Sequence, residues 1–503
     1  KSALKGYLCA QGIFHMLQLD WRKQALQKLS DVAFLAAFVA SHEILIKPLS
    51  VLRYLGLEDI RSCYQVLAEG LKSGLHPANP SPESCEEVAD FFEKIGLYPE
   101  GIALAEQAYS QNQQRNGDSH SATQSSRIGL ANLYFQNDQN KDAEALYLLE
   151  LEIAEQKNDS ATERLAVMNN LAMVYKDGGQ MSKAETLLLD CLQICEEHIL
   201  EGDETHLRTL NNLAAYYVAE EDYNKAESFM VKALKGCEET LGPEDPKTIS
   251  TVNNLAHIYG EQERLEDALL LNQRALKSNI KVLGPSHPNT LASYNNLGGV
   301  YRDLENFDVA EELYLKALNG SERSLGPEHS ATMTSVNNLA LLYEELGRED
   351  EAETMFLRDL RTSEKVLGPD HPETLLSANN LAGMYRDQER YDEAEPLLKR
   401  VLDAATEQLG PEEESALNFR YKYATLLIEL EHAEDALEYL RRNLELLQSY
   451  HEADHPLRAL THWSLAKCLR KLERPAEAAV ERKACLELEL AETGTIDSDI
   501  LFT

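Results

Sequence analysis

The sequence predicts an all-α solenoid of about ten helix-turn-helix repeats, preceded by a separate helical module. Three observations carry this reading. The triplet Asn-Asn-Leu ends at Leu171, Leu213, Leu255, Leu297, Leu339 and Leu381, a constant step of 42 residues. The residue after each of these leucines is small, and a second small residue stands thirteen positions after the leucine. Leu-Gly-Pro recurs at 241, 283, 325, 367 and 409. A fixed period of this length means one supersecondary unit that buries its apolar face only by stacking on its neighbours. Function is then expected along an extended surface rather than in one cleft.

Residues 1–80 come first and lie outside the repeat register. They are apolar and slightly basic, with nine Lys/Arg against six Asp/Glu. Segments 11–27, 30–46 and 49–71 read as helices. The most apolar run, 32–40, falls well short of the roughly 20 residues that span a bilayer and reads as a buried helix. Two roles suit this module: a cap over the first repeat, since solenoid ends need covering, or a docking element for a larger assembly. A Pro/Ser-rich stretch, 76–84, separates it from the array. The chain begins at Lys1, so a removed leader or an organellar address stays open.

The repeat array is expected over 84–490. Extending the register in both directions gives ten copies, from Val88 through Leu130 to Tyr423 and Leu465. The small residue after the register position is Ala in nine copies and Gly298 in the other, and the later one is Ala in nine and Gly101 in the first. Small residues on two successive helices let the helix axes approach closely. Between them an aromatic residue, Phe92 or Tyr134 through Tyr385, fills the remaining space, with Leu427 and Leu469 replacing it in the last two copies. At each boundary Gly permits a left-handed cap, Pro stops the helix, and Pro288 or Pro372 opens the next one. Each unit therefore reads as a helix, a short turn, a longer helix and a capped loop. The tail, 491–503, is acidic and apolar and ends in Ile500, Leu501 and Phe502; it frays as a terminus, or docks into a groove of a partner or of its own chain.

Small, aromatic and small residues at these offsets resemble the tetratricopeptide repeat (TPR). The 42-residue form with Asn-Asn-Leu-Ala and Leu-Gly-Pro-x-His-Pro is similar to the repeats of kinesin light chains and nephrocystin-3-like proteins. That resemblance implies a right-handed superhelix whose first helices line a concave face. It also implies that the Asn before each register leucine enters the groove: Asn170, Asn212, Asn254, Asn296, Asn338 and Asn380. An amide offers both a donor and an acceptor, so a row of them can hold the backbone of an extended peptide. The preceding Asn of each pair is turned about 100° away and is expected to brace a neighbouring helix. The alternative is an architectural ladder in which both amides serve contacts between repeats. One turn further on, Lys176, Arg302 and Arg386 are candidates to pair with acidic ligand residues, or else are ordinary solvated charges. Residues 1–80 hold no sustained heptad and the chain no GxxxxGK[ST] loop, so it reads as light-chain-like rather than as a light chain or an ATPase regulator.

The net charge of -37 is concentrated in the array, where 39 Lys/Arg face 79 Asp/Glu. Binding phosphate backbones requires clustered Lys and Arg, so neither nucleic acid nor an anionic membrane is expected, and protein segments of neutral or basic character are. The eight cysteines form no CxxC pair and no disulfide framework, which points to a reduced, intracellular compartment, cytoplasmic or organellar. Cys191 and Cys195, one turn apart, read as buried thiols. His451-Glu452-Ala453-Asp454-His455 matches the zinc-protease pattern HExxH, but it falls at a repeat boundary before Pro456, where no helix can run through it. His287 and His371 read as packing or capping residues. No catalytic residues, metal site or cofactor are expected. The sequence thus points to a non-enzymatic adaptor or scaffold, or alternatively to a stoichiometric structural subunit of a large multiprotein complex.

Overall fold

A computed structural model describes residues 81–493 apart from 95–97, 138, 158, 200–201 and 452–454. The readings made for residues 1–80 and for the tail from 494 onward lie outside the described residues. Twenty α-helices and no strand occur among the described residues. They fall into two compact units divided after Gln262. The first holds α1 (Pro82–Lys94), α2 (Tyr98–Asn116), α3 (Ser121–Gln136), α4 (Asn140–Gln156), α5 (Ala161–Asp177), α6 (Met181–His198), α7 (Glu204–Ala219), α8 (Tyr223–Thr240) and α9 (Pro246–Glu261). The second holds α10 (Leu265–Leu283), α11 (Pro288–Asp303), α12 (Phe307–Ser324), α13 (Ser330–Glu345), α14 (Glu349–Val366), α15 (Pro372–Asp387), α16 (Tyr391–Leu409), α17 (Glu414–Glu429), α18 (Ala433–Tyr450), α19 (Pro456–Lys471) and α20 (Pro475–Thr493). Odd-numbered helices are the first of each pair. Within each unit a first helix packs on its own second helix, on the preceding second helix, and on neighbouring first helices, as α5 does on α7 and α11 on α13.

The boundaries follow from capping chemistry. Gly242, Gly284, Gly326, Gly368 and Gly410 have φ between 86° and 105°, a backbone state that costs other residues strain. The following helices open on side-chain caps: Asp203 and Asp245 accept from backbone N–H groups at 2.8 Å. His287, His329, His371 and His455 do so through Nδ1 at 3.1 to 3.2 Å. Pro288, Pro372 and Pro456 stand just after their caps, where a missing N–H costs nothing. A threonine that the sequence reading passed over ties three of these loops to the helices they precede. The hydroxyls of Thr248, Thr290 and Thr332 donate to the carbonyls of Gly242, Gly284 and Gly326 at 2.7 to 2.8 Å.

The core is the register made solid. Leu171, Leu213, Leu255, Leu297, Leu339 and Leu381 are buried, and so are the small residues that follow them. The expected aromatic residue fills the gap and also carries a hydrogen bond. The hydroxyls of Tyr217, Tyr343 and Tyr385 donate to Glu185, Glu311 and Glu353 of the preceding second helix at 2.9 to 3.1 Å. Burial, reinforced by that carboxylate, pushes each phenol up to about 12, so it stays a donor at neutral pH. Arg348 and Arg390 lie over the Tyr343 and Tyr385 rings at 4.2 and 4.3 Å and pair with the same Glu311 and Glu353 at 2.9 and 2.8 Å. No helix among the described residues is long and apolar enough to cross a membrane.

One departure from the repeat explains another. Tyr314 occupies the place held elsewhere by Leu188, Met230, Asn272, Phe356 and Leu398 and, in the second copy, by Tyr147, and its ring lies across the one register-following residue that is not alanine, Gly298. A Cβ built on Gly298 would stand 2.7 to 3.2 Å from ring atoms of Tyr314. Gly298→Ala therefore restores the consensus residue yet is expected to destabilise the chain by about 1–3 kcal/mol, with Tyr314→Leu in the same chain recovering most of it. Urea denaturation of the single and double variants measures this; a neutral Gly298→Ala would contradict it.

Asp359 on α14 is buried where corresponding second helices carry Ala233, Ala275, Ala317 and Val401. Its carboxylate accepts from Ser377 at 2.6 Å, but burial outweighs that bond and raises its pKa. The folded state therefore holds this proton more tightly than the unfolded state does. Its contribution is most favourable at acid pH and is lost as pH rises from the unfolded carboxyl value through the raised folded one. Asp359→Ala is expected to raise stability by about 1 kcal/mol at neutral pH and to lose that advantage toward pH 4. Melting temperatures of the two chains across pH check it; a constant difference would contradict it.

Candidate peptide-binding face

The paired asparagines sit near the middle of the first helices, and their two side chains diverge because adjacent helical residues point about 100° apart. In two copies the first of the pair bonds across to the next repeat. Asn169 on α5 is fully buried; its Nδ2 donates to the Leu165 carbonyl at 2.9 Å and to Thr209 Oγ1 on α7 at 3.0 Å. Asn295 on α11 reaches Ser335 on α13 in the same way, at 2.9 Å. The hydroxyl residue on the next first helix is thus the partner that makes a buried amide tolerable.

The second asparagine, the one expected to face a groove, behaves differently from copy to copy. In the first unit Asn212 donates to Asn169 Oδ1 at 3.1 Å, and Asn170 to Asn132 Oδ1 at 3.1 Å, where α3 carries no paired asparagine. In the second unit Asn380 donates to Asn337 Oδ1 at 3.1 Å. These three amides are half-buried rungs of a ladder between neighbouring first helices. Asn254 and Asn296 are exposed, Asn338 is half-buried, and all three make no hydrogen bond among the described residues. The ladder is thus open at three of its six rungs, and two buried acceptors, Asn253 Oδ1 and Asn295 Oδ1, have no partner. The pattern set by Asn212 and Asn380 calls for Asn338 to donate to Asn295, yet the buried Asn295 Oδ1 has no partner. An open amide and an open, desolvated acceptor therefore face the same first-helix surface.

The candidate cations are already paired. Lys176 lies 2.8 Å from Asp177, Arg302 2.9 Å from Asp303, and Arg386 2.8 Å from Asp387, in each case the next residue in sequence. The Lys-Asp and Arg-Asp dipeptides were the available signal for this. Partly exposed pairs of this kind are worth about 0–1 kcal/mol and yield readily to a competing carboxylate.

Asn380 and Arg386 do come together in a pocket of about 200 Å³ among α13, α15, α16 and α17, with Leu341, Glu344, Asn379, Leu398 and Lys422 also lining it. Lys422 is the member that sequence reasoning missed. It precedes the register residue Tyr423 and so holds the place of the groove asparagine in the ninth copy, a substitution visible once the register is carried that far. Its Nζ donates to Asn379 Oδ1 at 3.0 Å. Burial, with Arg386 nearby, lowers the Lys422 pKa; burial, with Asp387 nearby, raises that of Glu344.

The histidine pair of the HExxH match caps two different helices. α18 ends at Tyr450 with His451 as its C-cap, its Nε2 2.8 Å from the Glu412 carbonyl, and His455 caps the start of α19. Residues 452–454 lie outside the described residues. Among the described residues no group of three or more His, Cys, Asp or Glu side chains is placed to hold a metal. Cys191 and Cys195 are buried beside Leu165, and burial pushes the Cys191 thiol up to about 12.

Comparison with known proteins gives one family. The tetratricopeptide repeat profile matches residues 124–197, 163–236, 205–281, 273–323, 289–361, 333–407 and 413–480. No curated protein matches the chain. Among solved structures, the chain is similar to a protein of Podosopora anserina assigned as a kinesin light chain with nearly identical TPR-like repeats, at 23% identity over 42% of this chain and 99% of that one, TM-score 0.39. It is similar to BtubC (BKLC) from P. vanneervenii at 23% identity over 46% of this chain and 92% of that one, TM-score 0.38. It is also similar to the apo form of RapI at 14% identity over 74% of this chain and 99% of that one, TM-score 0.46.

The two kinds of asparagine separate by mutation. Asn169→Ala strips a buried site of an amide that serves Leu165, Thr209 and Asn212, and is expected to cost about 2 kcal/mol. Asn296→Ala removes an exposed amide without partners and is expected to change stability by less than about 0.5 kcal/mol. Urea midpoints of the two variants test this, and equal losses would contradict it.

Proposed function

Because the chain belongs to the tetratricopeptide repeat family, we propose that it is a non-enzymatic adaptor or scaffold that holds protein segments along the first helices of its repeats. The observation that carries this reading is the break in the amide ladder at Asn295 and Asn338. Three rungs close on one another, at Asn170, Asn212 and Asn380, whereas here a buried acceptor and a neighbouring amide of the same unit are left without partners. An unpaired buried acceptor costs about 1–3 kcal/mol, and a peptide N–H arriving at Asn295 Oδ1 recovers it. Asn296 and Asn254 add exposed donors and acceptors on the same kind of helix. An extended segment meets such groups with its backbone, so this face selects for an available strand of chain more than for a particular sequence. The acidity of the array favours a neutral or basic segment and speeds its encounter. The unpaired, buried cysteines among the described residues suit a reducing, intracellular compartment.

A second reading, a structural subunit of a larger complex, is supported by a different feature. Leu148, Leu189 and Val231 hold corresponding positions on the second helices α4, α6 and α8 and are exposed. An apolar residue repeated on that side suits a permanent contact that leaves the first helices free.

A library of unstructured peptides, scored for binding to the full chain by fluorescence anisotropy, distinguishes the two. On the adaptor reading the bound peptides lose about tenfold in affinity when Asn296 and Asn338 are both changed to Ala with helicity unchanged. Retained binding in that double variant, or a library in which nothing binds, would overturn it.

A further inference from the structure

The pocket on the second unit narrows the chemistry of the segment, in a way that rests on the peptide-binding reading above. We propose that the pocket lined by Glu344, Asn379, Asn380, Arg386 and Lys422 receives an acidic and a basic side chain of one peptide segment together, the acid at Lys422 and Arg386 and the base at Glu344 and Asp387.

The argument starts from charges that the fold leaves uncompensated. Several cations on the helices of this unit are matched: Arg348 with Glu311 and Glu351, Arg358 with Glu322, Arg390 with Glu353 and Glu393, Arg400 with Glu364, while the buried Arg420 is held by the Pro411 carbonyl. Lys422 is half-buried; its ammonium holds the Asn379 amide oxygen and lies 5.9 Å from the centre of the Phe419 ring, with no ion-pair partner among the described residues. Glu344 is half-buried and its carboxylate has neither ion pair nor hydrogen bond among them. Both line the same pocket, and they do not pair with each other. Removing a charge from water without a partner is costly, and the cost is recovered only when an opposite charge enters the same desolvated space.

The neighbours decide which ligand does this. Arg386 adds positive charge near Lys422, Asp387 adds negative charge near Glu344, and the Arg386 to Asp387 pair joins the two halves. Burial and then Arg386 push the Lys422 pKa down; burial and then Asp387 push the Glu344 pKa up, against a smaller opposing pull from Arg386. A ligand bearing only a carboxylate relieves Lys422 but adds a third acid to Glu344 and Asp387. One bearing only an ammonium does the reverse, and only a ligand with both signs leaves no charge stranded.

The remaining surface fits a short extended segment. Asn380 spends its Nδ2 on Asn337 and Asn379 its Oδ1 on Lys422, which leaves the Asn380 Oδ1 as an acceptor and the Asn379 Nδ2 as a donor for a peptide backbone. Leu341, Ala382 and Leu398 supply apolar walls for the stems of the two side chains. At about 200 Å³ the pocket has room for side-chain ends, whereas a helix about 10 Å across does not enter it. Gly383 keeps it open: a Cβ built there meets nothing within 4 Å, while the corresponding residue one repeat earlier is Leu341.

The test uses the full chain and fluorescein-labelled pentapeptides of the type Ser-Asp-Ala-Lys-Ser, with the acid and base at varied spacings and with Asn or Gln replacing either one. Peptides carrying both charges are expected to bind, and loss of either charge to weaken binding about tenfold. Lys422→Met and Glu344→Gln are expected to weaken it similarly. Gly383→Leu fills the pocket from a position with free space, so it is expected to abolish binding while the melting temperature holds or rises. The proposal is overturned if acid-only peptides bind as well as mixed ones, if Glu344→Gln has no effect, or if Gly383→Leu binds normally. Mixed peptides that bind the Gly383→Leu chain but fail on the Asn296→Ala/Asn338→Ala chain would sink the pocket and leave the wider face standing. If no peptide binds the wild-type chain, both readings fall.

Discussion

A buried amide that must find a partner on the next repeat is the constraint from which most of this structure follows. Asn169 and Asn295 are buried, and in each the amide nitrogen is satisfied by a hydroxyl, on Thr209 or Ser335, held at hydrogen-bond distance by the following first helix. That requirement fixes the register of neighbouring first helices more sharply than apolar contact does, since a slip of one residue leaves both groups stranded. The small residues after the register leucines allow the approach, and the tyrosine to glutamate bonds tie each first helix to the preceding second helix. Once the inner asparagine is fixed, its neighbour is placed on the accessible side by helical geometry alone. Structure and candidate function thus share one pair of residues.

Much of this was legible in the sequence because it repeats. The period, the two small positions, the aromatic filler, the glycine caps and the opening prolines are all seen at the expected places, since each answers a local demand that recurs in every copy. A hydroxyl residue was equally periodic, at Thr209, Thr251, Ser293, Ser335 and Ser377, but that only Thr209 and Ser335 bond the inner asparagine needs the distance between helices, which spacing along the chain does not supply. The cations were harder to place. Lys176, Arg302 and Arg386 look free when read down a column of repeats and are paired when read along the chain, because the partner is the adjacent aspartate. Tyr314 and Gly298 show the same limit. Gly298 looks like a lone exception until the Tyr314 ring is seen to occupy the space that the missing Cβ leaves.

The site differs from the scaffold in what is left unfinished. Across most of the repeats polar groups close on one another, and the face they form has little reason to hold a ligand. Function is argued where closure fails, at the open Asn295 acceptor and around Lys422 and Glu344. Substituting lysine for asparagine at 422 is a small change in the repeat and a large one in chemistry, since it brings a poorly solvated charge to a surface otherwise lined with amides. A family of scaffolds built on one unit can diversify its ligands by such single replacements without disturbing the packing that sets the register.

The central claim is that ligand segments lie on the first helices and not on the second. Photo-crosslinking tests it most directly, with a photoreactive residue placed in the full chain at Asn338 on α13 in one variant and at the exposed Leu315 on α12 in another, each presented with a bound peptide. The account predicts adducts from position 338 and none above background from position 315. Adducts from 315 with none from 338 would contradict it.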